Sequence, residues 1–230
     1  MSDVRESVRS SLDQPTLRSL TVEANDGIIA TAGVVEGFVA AGWSGATLIL
    51  AALCSMIAGG VALGGGRYAE EAAERDAHQV LIAEESEQLA RSPQEEFDEL
   101  TAYYEAKGLY HDLAMEVAAQ LTANNALAAH LEAEHSLSLD EPEHRPVVIG
   151  VAAGAAYALG SLIPLTAMLL VPDSARPVVT IVATVIGLVL TSWFLARIGV
   201  RSVSATLRRA LAVSVLATGL SMAAGFLVQA

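Results

Sequence analysis

Five apolar runs, each close to 20 residues, punctuate the chain at about residues 24–43, 46–66, 147–171, 178–196 and 210–230. A run of that length fits the hydrocarbon core of a bilayer. Polar residues within them are few and none shows the alternation of a barrel strand, so each is predicted to be a helix. The expected fold class is an all-α membrane protein with five transmembrane helices and a helical insert between the second and third. The boundaries that follow are an N-terminal segment 1–23, the first two helices in 24–67, an insert in 68–146 and the last three helices in 147–230.

The insert has its own helical punctuation. Residues 70–89 are rich in Ala, Glu and Gln. Ser92 is a candidate N-cap followed by Pro93 and acids in the first turn, and Gly108 is a candidate C-cap. Asp112 is placed to cap a third helix running to about Leu121. Asn124 or Asn125 is placed to open a fourth, ending near His135. Phe97, Leu100, Tyr103 and Tyr104 recur at helical spacing and are expected to form the small core of this insert.

Charge separates along the same boundaries. Hydrophobic residues make up 53% of the chain and charged residues 17%. Yet residues 70–143 hold 19 of the 26 acidic and 3 of the 13 basic residues, a net −16. The five histidines lie in that block or one residue beyond it: His78, His111, His130, His135 and His144. No basic cluster is available for phosphates, which argues against nucleic-acid binding. The lone Cys54 has no partner for an internal disulfide. Lys and Arg also set an orientation. Five spans put Arg176 alone on one side and the other 12 basic residues on the opposite side. The N-terminus and insert are therefore expected to be cytoplasmic and the C-terminus outside. Residues 1–23 are polar, with no apolar core of a signal peptide and no eukaryotic targeting extension, so the expected location is a bacterial plasma membrane rather than a vacuole.

Candidate chemistry starts in the first run. A carboxylate inside a membrane helix costs about 2.5–3.5 kcal/mol on insertion scales, so Asp26 and Glu36 need a reason. Asp26 could cap a helix end or ligate a hard cation or a proton. Glu36 lies near mid-membrane, about 80° around the helix from Asp26. Gly33 and Gly37, close to the Asp26 face, favour close helix packing. Pairing the first two helices about Ser44 brings Arg67 level with Glu23, as an ion pair or as a snorkelling arginine. In the insert, Glu84 with Glu87, Glu96 with Glu99, and His130 with Glu134 each share a helix face. Carboxylates with one imidazole suit Fe²⁺, Mn²⁺ or Zn²⁺, and a block of that charge repels itself unless cations sit in it. Two Glu-x-x-His strings, Glu132 to His135 and Glu141 to His144, have the spacing of di-iron bundles.

The string ANDGIIATAGVVEG in the first run resembles the vacuolar iron transporter family, as does YALGSLIPL at residues 157–165. EEFDELTAYYEAKGL and AHLEAEHSL look like that family's cytoplasmic metal-binding domain. The resemblance implies a homodimer in the lipid bilayer that moves Fe²⁺, and often Mn²⁺, out of the cytosol in exchange for protons, with no prosthetic group and no enzymatic activity. It implies that Asp26 is the translocation aspartate. Glu84, Glu87, Glu96 and Glu99 would be metal-domain ligands, with Glu85 and Glu95 as close competitors, and His130 and Glu134 would complete the set. Two positions depart from the family pattern. Leu63 stands where a methionine is common, and Arg67 stands where a glutamate precedes an aromatic. Glu36 could replace the lost carboxylate. Loss of the thioether would favour harder ions such as Mn²⁺. The rival expectations are a membrane-anchored metal sensor or buffer and a membrane-anchored iron oxidase.

Overall fold

A computed structural model describes residues 14–139, 145–197 and 203–229. Among them are seven α-helices: α1 (Gln14–Ala40), α2 (Ala46–Arg91), α3 (Pro93–Ala106), α4 (His111–His135), α5 (Pro146–Leu169), α6 (Arg176–Arg197) and α7 (Val203–Gln229). A short 3₁₀ turn, Asp173–Ala175, precedes α6. The chain divides into two compact units: Met1–Ala69 with Val147–Ala230, and Glu70–Pro146.

Among the described residues, four helices with spans in the first unit are long and apolar enough to cross a membrane: α2, α5, α6 and α7. The chain is an all-α integral membrane protein. The first of the five expected spans, α1, falls short of that apolarity because it carries Asn25, Asp26 and Glu36. Burial explains how a helix can keep such residues. Ile28, Val35, Thr31 and Glu36 are at most 1% exposed. Val35 joins Leu48, Ala52, Leu165 and Met168 in one apolar cluster, while Ile28 and Ile29 join Leu188 in another. Thus α1 is the helix around which α2, α5, α6 and α7 assemble. Polar residues in membrane proteins concentrate on such interior faces.

Glycine sets how near the backbones come. A Cβ on Gly64 would lie 2.6 Å from the Gly150 carbonyl oxygen, and one on Gly150 would lie 2.7 Å from that of Gly64. Gly60 and Gly154 repeat this contact one turn along. The α2–α5 crossing therefore packs backbone on backbone, where van der Waals contact does what water cannot do in lipid. Gly33 and Gly37 face Ser221 of α7, so the small-residue face expected on α1 does pack against a neighbouring helix.

The second span and the first insert helix, expected to be separate, form one 46-residue helix. Residues 64–66 are three glycines, each costing about 1 kcal/mol relative to alanine, but no proline or left-handed cap follows. Good helix formers from Ala69 onward carry the helix through.

In the second unit, Pro93 opens α3 as expected, although the Ser92 side chain makes no cap bond. Gly108 follows the helix end with φ +101°, a left-handed position that suits glycine. Asp112 falls in the first turn of α4 rather than at its cap, which is Tyr110. Asn125 breaks α4 with extended backbone (φ −162°, ψ 94°), and its Oδ1 accepts a bond from the Ala128 N–H at 3.1 Å. It is the N-cap of the segment that ends at His135. Leu100, Ala118 and Ala129 form the core, with Phe97, Tyr104, Leu121 and Ala133 against it. Tyr103, expected in that core, instead stacks edge-on against Tyr104 and lies beneath Lys107.

Substitutions at neighbouring glycines of α2 should act with opposite sign. Gly64→Ala forces the two backbones apart and should cost about 1–3 kcal/mol. Gly65→Ala meets open space and should stabilise by up to about 1 kcal/mol. Thermal unfolding of the detergent-solubilised chain reads both.

Candidate metal centre

Three helical segments of the second unit aim side chains at one point. Glu85 comes from α2, Glu96 from α3, and His130 with Glu134 from the capped segment of α4. His130 Nδ1 lies 3.2 Å from Glu85 Oε1, 3.4 Å from Glu96 Oε2 and 3.3 Å from Glu134 Oε1. One ligand atom from each residue fits within 4.8 Å of all the others. His130, Glu85 and Glu96 are 1%, 2% and 6% exposed, while Glu134 stays open to solvent.

An imidazole nitrogen donates to one acceptor, so one His130 Nδ1 cannot satisfy three carboxylates. Glu85 Oε1 and Glu96 Oε2 are accordingly buried with no hydrogen-bond partner. Four donors around an ion with bonds of about 2.1 Å stand about 3.0–3.5 Å from one another. The separations around His130 fall in that range. Three carboxylate oxygens and one imidazole suit Fe²⁺, Mn²⁺ or Zn²⁺.

Burial is the main cause that raises the Glu85 carboxyl above its usual 4.5, helped by the negative charges of Glu134 and Glu96 and opposed by His130 and His135. Burial likewise leads for Glu96, helped by Glu99, Glu134 and Glu95 and opposed by His130. A divalent cation would reverse both effects by supplying the missing charge. His135 stands behind the cluster, its Nε2 3.9 Å from Glu85 Oε2.

Of the expected ligands, the structure brings together Glu96, His130 and Glu134. It adds Glu85, the competitor of Glu84. Glu84, Glu87 and Glu99 are exposed and outside the cluster, and Glu87 pairs with Arg91. Helix phase is the reason. Glu85 shares a face with Leu81 and Leu89, four residues to either side, whereas Glu84 does not. Glu96 shares its face with Leu100 and Tyr104, whereas Glu99 points outward. That apolar stripe was the available signal. Glu132 is exposed and does not join the cluster. The string from Glu141 to His144 lies outside the described residues.

In the first unit, the Asn-Asp-Gly triplet of α1 divides its work. Asn25 is buried, and its Oδ1 accepts a bond from the Thr191 hydroxyl of α6 at 2.5 Å. Gly27 lets α5 approach, and its carbonyl accepts a bond from the Ser161 hydroxyl at 3.2 Å. Asp26 between them is exposed. It lies well inside α1, which begins at Gln14, so it does not cap the helix. Glu36 is buried on another face and does not meet Asp26. Arg67 donates from Nε to Glu23 at 2.8 Å and from Nη2 to Ser19, so the ion pair forms.

The raised carboxyls set a pH dependence. The folded, metal-free protein holds more protons on Glu85 and Glu96 than the unfolded chain does, so their contribution to stability is lost as pH rises above about 4.5. Protection factors, with the intrinsic base-catalysed exchange rate divided out, should be higher across residues 85–135 of the EDTA-treated full-length chain at about pH 5 than near neutrality. Saturating Mn²⁺ should restore protection near neutrality. His130→Ala should remove the metal effect, whereas Glu84→Gln should keep it.

Residues 17–226 match the VIT family. The vacuolar iron transporter of Acanthamoeba castellanii is 32% identical over 149 residues, which cover 65% of this chain and 54% of that protein. The chain therefore spans about half of that relative's length. Vacuolar iron transporter 2 of Oryza sativa subsp. japonica is 24% identical over 76% of this chain and 71% of its own. Vacuolar iron transporter 1 of Tulipa gesneriana is 23% identical over 79% and 74% respectively. The family match extends over nearly the whole chain and takes in both units, and on that ground the chain belongs to the VIT family.

Proposed function

We propose that this protein transports a divalent metal ion, Fe²⁺ or Mn²⁺, out of the cytosol in exchange for protons. The Glu85–Glu96–His130–Glu134 cluster, buried except at Glu134, carries the reading, set in a chain whose other unit is membrane helices and whose relatives are named iron transporters. On this reading α1 is a fifth membrane span and the protein works as a homodimer. The N-terminus and the acidic unit face the cytoplasm, as the distribution of Lys and Arg favours. The acidic unit collects the ion from the cytosol. Asp26, an exposed carboxylate of α1, receives it at the membrane. Protonation of a carboxylate on the far side releases the ion, because a neutral carboxylic acid is a poor ligand. The protein is not an enzyme on this account.

A second reading has its own observation. Arg67 holds Glu23, three residues before Asp26, and a carboxylate tied up in an ion pair is no longer free to pass a cation on. That favours a membrane-bound metal sensor or buffer, which binds ions without moving them.

Sealed liposomes containing the protein and a divalent-metal dye separate the two readings. Transport predicts Fe²⁺ or Mn²⁺ uptake that depends on an imposed pH gradient and falls at least about tenfold in Asp26→Asn. Metal binding with no uptake supports the sensor or buffer. Uptake at the wild-type rate in Asp26→Asn removes that residue from the pathway.

A further inference from the structure

Glu36 is the second acid of α1, and neither the fold nor the cluster around His130 uses it. It is 1% exposed, and its Oε1 is buried with no hydrogen-bond partner. It lines a cavity of about 290 Å³ between α1, α6 and α7. Three helices present one matched face each to this space. Ala32 and Glu36 of α1 are one turn apart. Thr184 comes from α6. Ser214, Thr218 and Met222 of α7 follow one another at four-residue spacing. Elsewhere the lining is aliphatic or glycine, so the side-chain oxygen and sulfur atoms of this cavity come from Glu36, Thr184, Ser214, Thr218 and Met222.

The chemistry of this set is that of a cation site. An ionised carboxylate in an apolar interior is far too costly to leave alone. The Thr184 hydroxyl donates its proton to the Thr180 carbonyl at 2.8 Å, which leaves its lone pairs as acceptors. The hydroxyl oxygens of Ser214 and Thr218 add two more hard ligands, and the Met222 thioether adds a soft one. Carboxylate and hydroxyl oxygens with one thioether suit a first-row divalent ion better than Mg²⁺ or Ca²⁺, which take oxygen alone. The geometry points to a divalent transition-metal site inside the helix bundle, built by Glu36, Thr184, Ser214, Thr218 and Met222. This inference rests on the transport reading for its role, but the binding site can be tested apart from flux.

The test is Mn²⁺ binding to the full-length chain in lipid nanodiscs, read by the EPR signal of free Mn²⁺. His130→Ala with Glu96→Gln and Asp26→Asn first disables the cluster of the acidic unit and the Asp26 carboxylate. One Mn²⁺ per chain should remain. Glu36→Gln in that background should remove it, and Ser214→Ala or Thr218→Val, on a different helix, should each weaken it about tenfold. Met222→Leu should weaken Cd²⁺ binding more than Mn²⁺ binding. Residual Mn²⁺ binding that survives Glu36→Gln unchanged overturns the site. So does the absence of residual binding in the parent, and so does a Glu36→Gln effect confined to proton movement. Flux in sealed liposomes separates this outcome from the transport reading. Intact binding at Glu36 without flux sinks transport and keeps the site, whereas unimpaired flux in Glu36→Gln with unchanged binding does the reverse.

Discussion

A carboxylate taken out of water has to meet a cation, a proton or several donors, because the solvation it loses is worth many times the stability of a protein. Among the described residues, four glutamates are buried: Glu23, Glu36, Glu85 and Glu96. Glu23 is answered from within the chain by Arg67. The other three are not answered. Glu85 and Glu96 share one imidazole with Glu134, and Glu36 keeps an oxygen with no partner at all. Folding has therefore created an unmet demand for positive charge at two separate places. On the proposed reading, a mobile divalent cation meets it when bound and protons take its place when it leaves.

Such positions survive only where packing holds them. In the first unit, glycine allows α5 and α7 to close on α1 until backbone meets backbone, as at Gly160 with Ala24 and Gly225 with Gly37. That close approach supplies the attraction that leaves α1, with its polar residues, at the centre of the bundle. In the second unit, the Asn125 cap restarts α4 after a break. The restart sets the phase of the last helical segment, and with it the direction in which His130 and Glu134 point.

Much of this was legible in the residues. The apolar runs and the acidic block marked the helices and a polar segment, Pro93 and Gly108 marked the ends of α3, and the Asn124–Asn125 pair marked the new start within α4, which the structure places at Asn125. Counting levels along two antiparallel helices brought Arg67 beside Glu23 but left the ion pair and a snorkelling arginine both open, and the structure forms the pair. The NDG and EEFDEL strings carried the family. Other features were hidden for physical reasons. Three glycines looked like the end of a helix, yet the packing of Gly64 and the helix formers beyond kept α2 continuous. Glu84 and Glu85 are equal as chemistry, and only the phase of Leu81 and Leu89 tells which one turns inward. Acid pairs on one face were a weaker guide than that phase, because one face of a helix can be all solvent. The α7 residues that accompany Glu36 are single hydroxyls and one thioether in an apolar run, which carry no signal until three helices are brought together.

The central claim is that the demand for charge around His130 is met by a divalent ion. Pulsed EPR of the Mn²⁺-loaded full-length protein tests it most directly, because nitrogen bound to Mn²⁺ leaves its own hyperfine signature. The account predicts coupling to one imidazole nitrogen that disappears in His130→Ala. Mn²⁺ seen only among oxygens and water in the wild type, or nitrogen coupling unchanged in His130→Ala, would contradict it.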